Sequence, residues 1–308
     1  GIPFYISDHI RQGSELIART AEEFAKSGIP VKTGHEVTGV DTGKKTVTVK
    51  DLKSGEEFTD EYDKLIIGSG AGVRHFPPFD KEYENLYEIR NVADGTGVKN
   101  ALLDESQKHV VIVGAGFIGL EVSEACRHYG KHVTVVELAD HILPAFDTEV
   151  SQALKEELEK NGVAVKTGTK VTELIAQSGR IVKARLEGKN ESGEAVEEEI
   201  FADLVINSAG IAPATSFIEN VEKAKNGAIC VNERMETSVE DVYAAGDCSI
   251  MRSAITGLYT YAPLGTNANK QGRIIGDILG GVEPKPFKLI GSSALRLFGM
   301  DAAKVGIS

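Results

Sequence analysis

The chain has 308 residues, enough for two domains of ordinary size, and its formal net charge is −12. An acidic chain without a cluster of Lys and Arg lacks the basic surface that follows a phosphate backbone, so we predict no nucleic-acid partner, although a local basic pocket for a small phosphorylated ligand stays open. No apolar run reaches about 18 residues and no secretory leader is recognisable, so we expect no membrane role and a cytoplasmic location.

The first third of the chain predicts one helix and a small antiparallel meander. Apolar residues at helical spacing over 14–28 stop at Gly28, which favours a helix that ends there. A strand over 30–40 follows. The alternating stretch 45–57 then turns at Lys53-Ser54-Gly55, which is typical of a hairpin, and leads into a buried strand over 64–68.

A β-α-β unit occupies the middle of the chain. The pattern predicts a strand over 109–113, a helix over 117–129 and a strand over 132–137, followed by a helix over 148–161 and a strand over 163–171. The meander after it is acidic over 187–199, which we interpret as a solvated loop. Further on, we predict a strand and turn over 242–247, a helix near 265–279 and a proline-containing break over 282–286.

One segment of the chain occurs twice. Residues 26–40 read KSGIPVKTGHEVTGV and residues 160–174 read KNGVAVKTGTKVTEL, a displacement of 160 − 26 = 134 positions. Residues 63–70 and 203–210 form a second matching pair. Because the second copy has a strand, turn and helix for a nucleotide upstream and the first copy does not, we expect the chain to be a piece of a longer protein that lacks this opening.

A glycine turn begins the β-α-β unit. Gly114-Ala115-Gly116-Phe117-Ile118-Gly119 directly follows an apolar strand and opens a helix, the context in which this motif binds a dinucleotide. Free amides at the helix start face the diphosphate, and Glu137, at the end of the next strand, can accept both ribose hydroxyls. Since residues 138–141 contain no Arg for a 2′-phosphate, the sequence favours NAD(H) over NADP(H).

The turn at Gly246 is a second candidate site. Small residues before it let a ligand approach the main chain, and the carboxylate of Asp247 can accept a hydrogen bond from a sugar hydroxyl. A tight turn with a capping Asp explains the same residues. The helix that starts near Leu264 adds a positive dipole end, which can stabilise negative charge on a reduced flavin.

Together these motifs resemble the pyridine nucleotide-disulfide oxidoreductase family, nearest its branch of coenzyme A-disulfide reductases and NADH oxidases. The segments that carry the resemblance are 1–5, 19–24, 35–37, 62–71, 114–121, 243–248, 267–273 and 287–298. The resemblance implies an α/β fold with two Rossmann-like nucleotide-binding domains, each a three-layer ββα arrangement. It implies an incomplete FAD domain over 1–104 and 235–288, an NAD domain over 105–234, and the start of a truncated dimerisation domain over 289–308.

The resemblance also implies site residues and a reaction. It places Glu121 near the nicotinamide and Gly210 against the dinucleotide. It implies an FAD site lined by Val37, Gly70, Gly246, Asp247, Pro263 and Leu264. NADH would reduce FAD, and FAD would reduce a single redox cysteine immediately before Gly1, in a homodimer that acts on a small disulfide, peroxide or oxygen. No catalytic residue would lie in this chain, which we therefore expect to be inactive by itself.

Two alternative functions stay open at this point: an electron-transfer reductase of a small iron-sulfur protein, and a non-catalytic NAD(H)-binding fragment. The cysteines at 126, 230 and 248 show no paired spacing, so we predict no disulfide framework. We predict that Cys126 is buried and that Cys248 occupies a structural position rather than a redox one. Cys126, His128 and His132 are close in sequence, but Gly130 breaks the helix between the histidines, so we predict no metal site.

Overall fold

The computed structural model describes residues 1–189, 193–285 and 287–307. The helices are α1 Ile2–Ile6, α2 Ala21–Lys26, α3 Val92–Leu103, α4 Phe117–His128, α5 Thr148–Lys160 and α6 Gly265–Leu279, with a 3-10 turn over Gly13–Leu16. None of the helices in these ranges has both the length and the apolar character needed to cross a bilayer.

The strands follow in chain order. Those of the first unit are β1 His35–Asp41, β2 Thr46–Asp51, β3 Glu57–Glu61, β4 Leu65–Ile67 and β5 Ala71–Val73. Those of the second are β6 Leu86–Glu88, β7 His109–Val113, β8 His132–Val136, β9 Val163–Lys166, β10 Lys170–Gln177, β11 Arg180–Lys189, β12 Ala195–Phe201, β13 Leu204–Asn207 and β14 Ile211–Pro213. The remainder are β15 Ile229–Val231, β16 Val242–Ala244, β17 Ser249–Arg252, β18 Tyr259–Thr260, β19 Ser293–Leu297 and β20 Met300–Lys304.

The helix predicted over 14–28 is wrong in its first half. A capping box starts α2: the Thr20 hydroxyl accepts from the Glu23 amide at 3.3 Å, and the Glu23 carboxylate accepts from the Thr20 amide at 2.8 Å. This local arrangement defines a helix start that apolar spacing alone does not show. The helix ends before Gly28, whose φ is +79°, so the predicted glycine stop is confirmed. The strand predicted over 30–40 begins only at His35.

Three layers build the second unit. Its central sheet is parallel with the order β6-β13-β7-β8-β9. One face of this sheet packs against α3, α4 and α5, with Ile112 and Ile206 fully buried among Leu120 and Leu154. The other face packs against the antiparallel meander β10-β11-β12. The predicted α/β class with a ββα layering is therefore confirmed.

The acidic run over 187–199 is largely strand, so its interpretation as a loop is wrong for the part of the chain that the structure describes. Glu187 lies in β11, and the acidic residues at 197–199 lie in β12. Their carboxylates form cross-strand ion pairs, for example with Lys170 at 2.7 Å and with Lys183 at 3.0 Å. Basic partners on the neighbouring strands offset the charge repulsion that suggested a loop. The tip at 190–192 lies outside the described residues, as does Pro286 in the predicted break.

The first unit repeats part of this plan. Its meander β1-β2-β3 turns as predicted, because the Asp51 carboxylate accepts from the Lys53 amide at 2.8 Å and Gly55 has φ +76°. Strand β4 pairs in parallel with β16. Among the described strands, β4 has one partner, β16. Strand β13, the counterpart of β4 in the second unit, has two partners, β6 and β7.

The two units meet through matching linkers. Strand β5 follows β4, β14 follows β13, and these two linkers pair antiparallel. The Arg74 amide donates to the Gly210 carbonyl at 3.2 Å, and the Ala214 amide donates to the Gly70 carbonyl at 3.0 Å. Both glycines have positive φ, +69° at Gly70 and +106° at Gly210. The sequence duplication is thus also a local pseudo-twofold arrangement in space.

Candidate functional site

The glycine turn joins β7 to α4. Gly114 has φ +99°, and a Cβ there would lie 2.7 Å from the Ser208 carbonyl oxygen. A Cβ on Gly119 would lie 2.1 Å from the Gly114 oxygen. At Gly116, by contrast, no atom lies within 4 Å of an added Cβ. Two of the three glycines therefore allow close backbone packing, and Gly116 leaves open space in front of the helix.

Helix α4 begins at this open position. Gly116 is its N-cap and provides no side-chain cap, so the first amides of the helix have no side-chain acceptor there. Such a helix start favours an anion. Phe117 and Ile118 are partly buried and pack against the core beneath the sheet, so they contribute to the turn through their backbone.

Glu137 lies directly after β8 and fastens the turn. Its carboxylate accepts from the Ala115 amide at 2.7 Å and from the Ala139 amide at 2.8 Å. The first of these contacts was not predicted, because it joins residues that are 22 positions apart in the chain. Glu137 therefore both shapes the glycine turn and presents negative charge beside it.

A cavity of about 540 Å³, here called the nucleotide cavity, opens over the turn. It brings together four of the predicted residues: Gly114, Gly116, Glu137 and Gly210. Its other lining residues include Arg74, Phe76, Leu138, Pro144 and Lys170, which the sequence interpretation missed. Lys170 begins β10 and the other four lie in connecting segments, and no local motif marks them.

Glu121 lies one turn into α4, close to the start of α1. Burial raises the pKa of its carboxyl group, the amino group at Gly1 opposes this shift, and Glu124 adds to it. Helix α1 is held on α4 by Tyr129, whose hydroxyl donates to the Ile6 carbonyl oxygen at 3.0 Å. The structure therefore brings the beginning of α1 and the partly buried Glu121 to the same end of the second unit.

The residues proposed for FAD fall in two places in the first unit. Val37 lines a cavity of about 650 Å³ together with Gly68 and Ser69. Gly70 follows these residues in the linker to β5 and is not among the residues that line this cavity.

The second place is the end of β16. The Gly246 amide donates to the Gln271 side chain at 2.7 Å, which brings α6 against the turn. The Asp247 carbonyl oxygen accepts from the Tyr261 hydroxyl at 2.8 Å. Pro263 and Leu264 lead into α6, which begins without a side-chain cap. The two places are adjacent, because β4 and β16 are parallel and the Ala245 amide donates to the Ile67 carbonyl at 3.0 Å.

The three cysteines are all buried, free thiols. Burial raises the pKa of Cys126 to about 12 and also raises the pKa of Cys248. The Cys248 thiol lies 3.2 Å from the Ala245 carbonyl oxygen inside the turn. Low reactivity follows, because the thiolate is the nucleophilic form.

The His132 ring stacks on His109, with 5.2 Å between the ring centroids. Within the described ranges no three His, Cys, Asp or Glu residues are grouped to hold a metal ion.

Known proteins are similar to this chain in sequence and fold. The pattern of the pyridine nucleotide-disulphide oxidoreductase family matches residues 6–272. An NADH oxidase of Mycoplasma genitalium is 33% identical, covering 100% of this chain and 68% of its own length. A coenzyme A disulfide reductase of Staphylococcus aureus is 28% identical, covering 99% of this chain and 67% of its own length. The chain thus spans about two thirds of these relatives.

Two solved structures extend the comparison. The reduced CoADR-RHD protein of Bacillus anthracis superimposes with a TM-score of 0.90 at 29% identity, covering all of this chain and 54% of its own. An engineered water-forming NADPH oxidase, derived from the Lactobacillus brevis NADH oxidase and bound to NADPH, gives 0.83 at 29% identity, over 97% of this chain and 64% of its own. The family match over most of the length, with the glycine turn and cavity in place, shows that this chain belongs to the pyridine nucleotide-disulphide oxidoreductase family.

Proposed function

We propose that the chain is the nucleotide-binding portion of a flavin-dependent NADH oxidoreductase, which passes reducing equivalents from NADH through FAD to a small disulfide, peroxide or oxygen. The observation that carries this proposal is the nucleotide cavity, in which the open Gly116 position, a free helix start and the carboxylate of Glu137 face the same space. The names of the relatives, NADH oxidase and coenzyme A disulfide reductase, support the reaction class.

In this proposal each part of the nucleotide cavity has a role. The amides at the start of α4 hold the diphosphate, and Gly116 lets it approach because no side chain occupies that space. The Glu137 carboxylate accepts from the ribose hydroxyls in addition to its two backbone amides. Arg74 adds a positive charge beside Gly210. Glu121 and the start of α1 mark the end at which the nicotinamide would lie.

A preference for NADH over NADPH is supported by the engineered oxidase. Its substitutions replace a glycine, an aspartate 18 positions further on, the two residues after that aspartate, and a proline seven positions after it. In this chain the same spacing falls on Gly119, Glu137 and Pro144, since 137 − 119 = 18 and 144 − 137 = 7. The engineered NADPH oxidase lacks the aspartate and carries an added arginine next to it. This chain has the carboxylate of Glu137 at the place of that aspartate and Leu138 at the place of the added arginine.

FAD, when bound, supplies the group that accepts hydride from NADH. Val37 and Gly70 would hold it on the β4 side, and Gly246, Asp247 and the segment before α6 on the β16 side. The residues present fit such a ligand at two points: Val37 lines a cavity of about 650 Å³ at β4, and α6 begins without a side-chain cap after Pro263 and Leu264. The helix dipole there stabilises negative charge.

The finer parts of the proposal concern the complete protein. We place its redox cysteine immediately before Gly1, as the family resemblance implies, and the packing of α1 against α4, the helix that carries Glu121, supports this position. We propose a domain division at 104, 234 and 288, in which strand β6 and helix α3, both upstream of residue 105, pack into the layers of the NAD domain. A homodimer in the cytoplasm is part of the proposal, and three free thiols support the reducing compartment.

Two measurements on the purified chain test the proposal. NADH titration by calorimetry should give saturable binding with Kd below about 1 mM. Absorbance at about 450 nm should reveal retained flavin, and addition of FAD should raise that signal if none is retained. NADH binding without any flavin uptake would favour a non-catalytic fragment. A folded chain that binds neither ligand would overturn the function proposed above.

A further inference from the structure

A second cavity adjoins the nucleotide cavity at its Glu137 end. This cavity, of about 310 Å³ and here called the meander cavity, lies against β11 and β12. The two cavities share Leu138 and Lys170 among their lining residues. Leu138 directly follows Glu137, to which the proposed function assigns the ribose hydroxyls. The shared boundary is therefore next to the place where a dinucleotide either carries or lacks a 2′-phosphate.

The charges at this boundary are arranged around Lys170. Its ammonium lies 2.7 Å from the Glu187 carboxylate, directly across from it on the neighbouring strand. Glu187 in turn lies opposite Glu197 on β12. Both acidic residues line the meander cavity, as does Lys189. Lys170 keeps 55% of its side chain exposed, so a ligand can reach it.

We propose that Lys170 and Glu187 form a specificity element that weakens binding of nucleotides with a 2′-phosphate. Glu187 neutralises the lysine that both cavities share. Glu137 and Glu197 place two further carboxylates at that boundary, against one further ammonium, that of Lys189. A ribose with a free 2′-hydroxyl meets little penalty there, whereas a phosphate dianion is repelled. This inference rests on the proposed dinucleotide function and goes beyond it, because it names a determinant outside the glycine turn.

Removal of the Glu187 charge should release Lys170 for the phosphate. Because the pair is partly exposed to solvent, the expected gain is modest, about two- to fivefold in affinity. The gain should be confined to nucleotides that carry the 2′-phosphate. It should require the ammonium of Lys170, so a double variant should lose it.

The test uses two probes, 2′,5′-ADP and 5′-AMP, titrated by calorimetry into the full chain. Glu187→Gln should bind 2′,5′-ADP about two- to fivefold more tightly than the wild type while its affinity for 5′-AMP is unchanged. The double variant Lys170→Gln/Glu187→Gln should bind 2′,5′-ADP no more tightly than the wild type. Glu57→Gln, in the meander of the first unit, is the control for loss of one negative charge far from the cavity.

The outcomes separate the inference from the proposed function. Unchanged 2′,5′-ADP affinity in a folded Glu187→Gln, with 5′-AMP still bound, would overturn the inference alone. An equal gain in Glu57→Gln would also overturn it, because the effect would then come from net charge. If the folded wild type bound neither 2′,5′-ADP nor 5′-AMP, that result would contradict the nucleotide site and the inference with it. Circular dichroism of each variant establishes folding.

Discussion

Substitution of the two glycines that flank Ala115 should separate nucleotide binding from stability. At Gly116 an added Cβ meets no atom within 4 Å, and the backbone has φ −80°, which any residue adopts. At Gly114 the added Cβ meets the Ser208 backbone at 2.7 Å, and φ is +99°. Gly116→Ala should therefore fold and lose NADH affinity, whereas Gly114→Ala should be unstable.

The magnitudes follow from these two environments. Alanine is a poorer N-cap than glycine, so Gly116→Ala should lower the free energy of unfolding by only about 0.5–1 kcal/mol. Its methyl group would stand where the diphosphate approaches, and crowding of about 1–3 kcal/mol corresponds to a loss of about 5- to 150-fold in NADH affinity. Gly114→Ala combines a left-handed backbone penalty of about 1–2 kcal/mol with backbone crowding, so a loss of about 2–5 kcal/mol in stability is expected.

Urea unfolding measures the stability of both variants, and calorimetric titration with NADH measures binding by Gly116→Ala. The two variants control for each other, because each adds one methyl group to the same turn. A Gly116→Ala chain that binds NADH within about twofold of the wild type would refute the assignment of the open position to the diphosphate. A Gly114→Ala chain as stable as the wild type would refute the close packing at Ser208.

Three further predictions concern single side chains. Glu137→Ala removes the acceptor of two amides, so NADH affinity should fall about tenfold or more, measured by calorimetry with Leu138→Ala for comparison. Hydrogen bonds from Lys45 and Lys64 lower the pKa of Asp241 to about 2 from 3.8. This stabilisation is present above pH 3.8 and is lost as pH falls through 2, so between pH 4 and 2 the unfolding free energy of Asp241→Asn should fall less than that of the wild type. A chromogenic thiol reagent at pH 8 should react with the buried Cys248 only after denaturation. Rapid reaction of Cys248 in the folded chain would contradict its burial.

Local patterns predicted most of the elements around the site. Strands β7 and β8 and helix α4 were predicted within one residue of their observed bounds, because alternation and helical spacing reflect burial directly. The first half of the helix predicted over 14–28 was wrong, since its apolar residues lie in an exposed segment in which a capping box, not packing, sets the start. The prediction of a loop over the acidic residues 187–199 was wrong because their basic partners lie on other strands.

The amino-acid sequence by itself determined the glycine turn and the carboxylate at Glu137, because each belongs to a local pattern of strand, turn and helix. It also determined the duplication, because two segments 134 positions apart repeat residue by residue. The tertiary structure alone decided that Arg74 and Lys170 line the same cavity, that the linkers of the two units pair, and that Glu137 holds the Ala115 amide. These contacts join segments far apart in the chain. They arise from how the sheet, meander and helices pack, which no local pattern records.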